Sequence, residues 1–142
     1  MADARPVLDQ VNLVVKDMDA SLAFYRRLGV DIPSTTPAWD PHHRSAKVDG
    51  DLDLDLDSAV FAKDWNEGSR GPAVVVGFKL PSSEAVDALY ADLTGAGYRG
   101  QQPPWDAFWG SRYAIVEDPD GNPVGLMGPR DPAKGRDVPP PS

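Results

Sequence analysis

Two hydrophobic periods take turns along the chain. Residues 7–15, VLDQVNLVV, are apolar at most positions and read as a strand. The next segment, KDMDASLAFYRRLG, places Leu22, Tyr25 and Leu28 at helical spacing. Asp17 is its N-cap, Asp19 lies in its first turn and Gly29 ends it, which predicts a helix near 18–28. Residues 33–45, PSTTPAWDPHHRS, read as loop or an irregular edge strand. A turn at Asp49-Gly50 leads into DLDLDLD, residues 51–57, which alternates with period two. Residues 62–72 read as a linker. The pattern then restarts. AVVVGFKL is a strand, and SSEAVDALYADLTGAG is a helix near 83–94, capped by Ser82 or Ser83, with Val86, Leu89, Tyr90 and Leu93 as its stripe. RYAIVEDPDGNPVGLMG is a strand, a turn at Asp120-Gly121 and a strand.

The two halves superpose with a shift of 65 residues, which sets Gln10 on Val75, Leu13 on Phe78 and Tyr25 on Tyr90. Two related units sharing one core follow from this repeat. Residues 1–130 therefore form one domain: module one at about 7–61, the linker at 62–72 and module two at about 73–129. The Pro-rich tail, 131–142, is expected to be flexible or loosely packed.

DLDLDLD puts Leu52, Leu54 and Leu56 on one face and Asp51, Asp53, Asp55 and Asp57 on the other. Alternate carboxylates are spaced by about 6.8 Å. Their repulsion is about 2.4 kcal/mol at an effective dielectric of about 20 and about 0.6 in water. Two readings stand open. The acids guard an edge strand against pairing, or they face a cleft, with Asp53 and Asp55 reaching a ligand.

Composition narrows the classes. Twenty-two acids against 14 Lys plus Arg give a formal charge of −8, which speaks against nucleic-acid binding through a basic face. The absence of cysteine removes disulfides and thiolate chemistry. No apolar run reaches membrane-spanning length, and the N-terminus shows no secretory signal. A cytoplasmic location and no membrane partner are the expectations.

LDQVNLVVKDMDASLAFYRRLGV resembles the opening of the vicinal-oxygen-chelate proteins, the glyoxalase, bleomycin-resistance and dioxygenase superfamily. WGSRYAIVEDPDGNPVGLM resembles their last hairpin, and the likeness covers about residues 7–129. It implies an α+β fold of two tandem βαβββ modules. Their sheets curl into a cleft, and helices cover the convex face. Metal-using members place His or Gln on the first strand of each module and Glu on the last. Here those places hold Gln10, Val75 and Gly125. Valine and glycine have no donor, and an amide is a weak ligand for zinc. No metal and no cofactor are expected. Adjacent His42 and His43 read as an exposed loop pair.

The segment PPWDAFWGSRY is rich in stacking surface and resembles a cleft wall of the superfamily's drug-binding branch. The expected ligand-binding set is Gln10, Asp53, Asp55, Trp105, Phe108, Trp109, Tyr113 and Met127. The leading reading is a metal-free protein, homodimeric like many of the family, that sequesters a cationic or aromatic small molecule. The alternative is a lyase or isomerase of the same superfamily, with Asp53, Asp55 or Tyr113 as acid–base groups. A third is a domain that docks a partner protein through its aromatic patch.

Overall fold

The computed structural model describes residues 5–141. Its strands are β1 (Val7–Val15), β2 (His43–Ser45), β3 (Asp53–Ser58), β4 (Ala73–Lys79), β5 (Gly100–Asp106), β6 (Arg112–Glu117) and β7 (Pro123–Met127). Its helices are α1 (Met18–Leu28), α2 (Ala59–Trp65) and α3 (Ser83–Gly95). The strands form one mixed, open sheet in the order β2-β3-β1-β4-β7-β6-β5. β1 and β4 run antiparallel at its centre, and each pairs in parallel with the last strand of its own module, β3 and β7. Module two is a complete βαβββ unit. In module one the second strand has shrunk to a single bridge, Asp31 to Lys47.

Capping sets the helix ends. Asp17 Oδ1 accepts from the Ala20 N–H at 3.0 Å, and Gly29 closes α1 at φ 110°. Ser82 Oγ caps α3 in the same way at the Ala85 N–H. One sheet face packs against α1 through Val15, Met18, Leu22, Ile32 and Leu56, and against α3 through Leu80, Val86, Ala114 and Leu126. Leu56 is wholly buried, which contributes about 1.5–3 kcal/mol.

Three sequence expectations change here. Residues 62–65, expected in the linker, complete α2, which packs on the opposite, concave face with Phe61, Ala62 and Trp65 buried. Two turns are too short to show helical periodicity, but they bury a phenylalanine and a tryptophan. The acid strand is not an edge, because β3 lies between β1 and β2. The tail is fastened rather than free. The Asp131 N–H donates to Gly110 O at 2.9 Å and the Arg136 N–H to Phe108 O at 2.7 Å, on either side of a short 3₁₀ turn, Pro132–Lys134.

Candidate functional site

The concave face holds a cavity of about 580 Å³. Period two along β1 and β3 carries Gln10 and Asn12, and Asp55 and Asp57, to its floor. The two strands bond through these side chains. Gln10 Nε2 donates to Asp55 Oδ2 at 2.6 Å, and Asn12 Nδ2 to Asp57 Oδ2 at 3.1 Å. Amide donors thus relieve the charge row that a half-buried strand would otherwise hold at a cost.

β2 pairs His43 opposite Asp57, which places the imidazole on the same face. His43 Nδ1 donates to Asp57 Oδ1 at 2.5 Å. The His43 side chain is 38% exposed and that of Asp57 only 3%. Burial disfavours the imidazolium. The hydrogen bond to Asp57 and the charges of Asp57 and Asp55 outweigh it and hold the His43 pKa above its ordinary value. The expectation of an exposed histidine pair therefore fails for His43. His42 points elsewhere and bonds Ser58 Oγ at 2.9 Å.

The walls are aromatic. Trp39 meets Phe61 edge-on at 5.0 Å, Phe108 meets Trp109 at 5.0 Å, and Trp109 meets Tyr113 at 5.0 Å. Trp109 Nε1 donates to Met127 Sδ at 3.2 Å. Burial, reinforced by the charge of Asp57, pushes the Tyr113 hydroxyl well above its ordinary pKa, so it keeps its proton. Thr35, Thr36 and Trp39 come from the 33–42 loop. Asp40 Oδ1 pins that loop by accepting from Thr35 N and Oγ, and buried Arg44 donates to Asp40 O and Pro33 O. Arg130 stands at the rim, its Nε on Trp109 O at 3.0 Å. Two buried polar atoms of lining residues have no partner: the indole N–H of Trp65 and the amide oxygen of Asn12.

Of the residues expected from sequence, Gln10, Asp55, Phe108, Trp109, Tyr113 and Met127 line the cavity together. Asp53 does not. It is exposed at the start of β3, and the acids that face inward are Asp55 and Asp57. Trp105 stands behind the wall, edge-on to Phe108 and Trp109 at 6.1 Å each. Asn12 and Asp57, missed at first, lie two residues beyond Gln10 and Asp55, so the same periodicity points to them. Trp65 and His43 gave no such signal.

The superfamily's metal does not fit these residues. In module one Gln10 and Asp55 are bonded to each other. In module two Val75 belongs to the apolar core, and Gly125 has no side chain. A Cβ built on Gly125 would fall 2.9 Å from Tyr113 Oη, so the tyrosine fills the space a ligand there would need. Among the described residues no three His, Cys, Asp or Glu side chains are grouped to hold a metal ion.

The family model described as Glyoxalase/Bleomycin resistance protein/Dioxygenase superfamily matches residues 7–126. No curated protein matches the chain. Among solved structures, the Mn(II)-bound glyoxalase from Novosphingobium aromaticivorans is 20% identical, with a TM-score of 0.61 over 97% of this chain and 43% of its own. An NAD-dependent benzaldehyde dehydrogenase from Legionella pneumophila is 20% identical, with a TM-score of 0.60 over 84% of this chain and 96% of its own. Methylmalonyl-CoA epimerase from Mycobacterium tuberculosis is 23% identical, with a TM-score of 0.57 over 92% and 93%. At these identities the likeness is one of fold.

Proposed function

Because the chain belongs to the glyoxalase, bleomycin-resistance and dioxygenase superfamily, we propose that it is a metal-independent member that binds a small aromatic compound in its concave cavity. One observation carries this reading: an aromatic-walled cavity of about 580 Å³ stands where Val75 and Gly125 of module two offer no metal donor and Gln10 and Asp55 of module one bond each other. A volume of that size suits a drug-sized ligand. Trp109, Phe108 and Trp39 offer ring faces and edges. Asp55 gives only Oδ2 to Gln10, which leaves Oδ1 for a cationic or hydrogen-bond-donating group.

Two of the three sequence candidates for acid–base work fare poorly as bases: Tyr113 holds its proton and Asp53 lies outside the cavity, whereas Asp55 lines it with Oδ1 left free by Gln10. A homodimer and a cytoplasmic location belong to the same proposal, and sedimentation of the purified protein by analytical ultracentrifugation tests the first.

A thermal-shift screen of cationic, neutral and anionic aromatic compounds, run with and without EDTA and divalent metals, tests the binding reading. A ligand that binds only the folded state raises the melting temperature by mass action. The expected result is a rise with aromatic compounds that EDTA leaves unchanged. Shifts that appear only with an added metal overturn it.

A further inference from the structure

We propose that His43, oriented by Asp57, is a general base that removes a proton from an acidic C–H of an aromatic substrate held in the cavity. The inference rests on the cavity being an aromatic-binding site and adds chemistry to it.

The geometry is that of an oriented imidazole. Asp57 Oδ1 accepts from His43 Nδ1, and Asp57 Oδ2 is held by Asn12. The carboxylate is buried on a strand paired on both sides, so it has little freedom to release the ring. With the proton on Nδ1, the lone pair sits on Nε2, the nitrogen that Asp57 does not engage. A buried carboxylate behind an imidazole fixes the tautomer and stabilises the imidazolium that forms when the base takes a proton. Phe61 meets the ring edge-on at 6.0 Å and shares the cavity wall with it. The charged groups facing the ring are Asp57 and Asp55, both on β3.

The step balances without a cofactor. The substrate C–H bond breaks, and its proton goes to Nε2. The electron pair stays on the substrate, where it enters a conjugated carbonyl or expels a leaving group. In an isomerisation the same proton returns to another atom.

The probe is 5-nitrobenzisoxazole, an aromatic carbon acid whose ring opens when a base takes its C3 proton. The C–H pair becomes the nitrile π bond, the N–O bond breaks, and the phenolate product is read by its absorbance. Binding is measured separately, with the unreactive isostere 5-nitrobenzotriazole and tryptophan fluorescence. Wild type is expected to show saturable elimination that rises with pH and levels off as His43 loses its proton. His43→Gln should lower the rate by about 100-fold or more, the scale of a positioned base, and still bind the isostere. Asp57→Asn should lower the rate and move the pH profile downward, because the partner that raises the His43 pKa is weakened. If that variant does not fold, His43→Gln carries the test alone. Asp53→Asn, outside the cavity, should match wild type. Binding without turnover, or turnover that survives His43→Gln, overturns the base and leaves the pocket standing. Failure of wild type to bind the isostere overturns both.

Discussion

The hydroxyl of Tyr113 occupies the space into which a side chain on Gly125 would grow, 2.9 Å from the first carbon of that side chain. Tyr113 is buried among Trp65, Trp109 and Met127, and its ring lines the cavity. The glycine and the tyrosine therefore go together, and the loss of a ligand at one position is matched by ring volume from the other.

Restoring the carboxylate by Gly125→Glu should consequently fail to make a metal site. Overpacking of this kind costs about 1–3 kcal/mol. Urea denaturation should show that loss, and calorimetric titration with Mn²⁺ or Zn²⁺ should show no tight binding to the variant. Recovery of a stoichiometric metal at unchanged stability would mean that Tyr113 yields.

Leu52 and Leu56 share one face of the alternating segment but not one environment. Leu56 is fully buried beneath α1, whereas Leu52 is 39% exposed. Leu56→Ala should cost about 2–5 kcal/mol, and Leu52→Ala about 0.5 kcal/mol or less. Equal losses in denaturant would mean that both ends of the row are buried.

Stability should depend on pH through His43. Its folded pKa is raised, so the folded state holds the proton more tightly than the unfolded chain. The stabilisation is complete below the unfolded value of about 6.5 and is lost as pH rises through the folded pKa. Urea midpoints measured from pH 5.5 to 8.5 should fall over that window in wild type and flatten in His43→Gln. A parallel decline in both proteins assigns the effect to other groups.

Stacking and charge should separate in binding. For the aromatic cation giving the largest thermal shift, Trp109→Ala should lose about 1–3 kcal/mol, by analogy with stacking of bases on aromatic side chains, with little salt dependence. Asp55→Asn should weaken binding more at low salt than at high salt. Asp53→Asn should do neither. Fluorescence titration at two ionic strengths reads all three, and an Asp55→Asn variant that binds like wild type removes that carboxylate from the site.

The scaffold was legible because local chemistry marks it. Asp17, Gly29 and Ser82 stand at helix ends, and the strand at 7–15 coincides with β1. The site was legible only where it shares those periods: Gln10 and Asp55 on paired strands, and Phe108 and Trp109 in an aromatic run. His43 was hidden because its meaning comes from a partner 14 residues away, through a pairing of only three residues in a Pro-rich stretch. Trp65 was hidden in a helix of seven residues. Asp53 was misplaced because alternation gives a face but not the depth at which that face enters the cavity.

Module two devotes seven residues to its second strand, β5, whereas module one keeps a single bridge at that point. The chain released from pairing becomes the wall that carries Thr35, Thr36 and Trp39, fastened by Asp40 and Arg44. Its length and sequence are not tied to any strand register. Insertions or exchanges there would reshape what the cavity admits while the β2–β3–β1 ladder keeps its hydrogen bonds. On the proposed binding reading, ligand choice and foldability are thus separable, the one set by this loop and the other by the sheet.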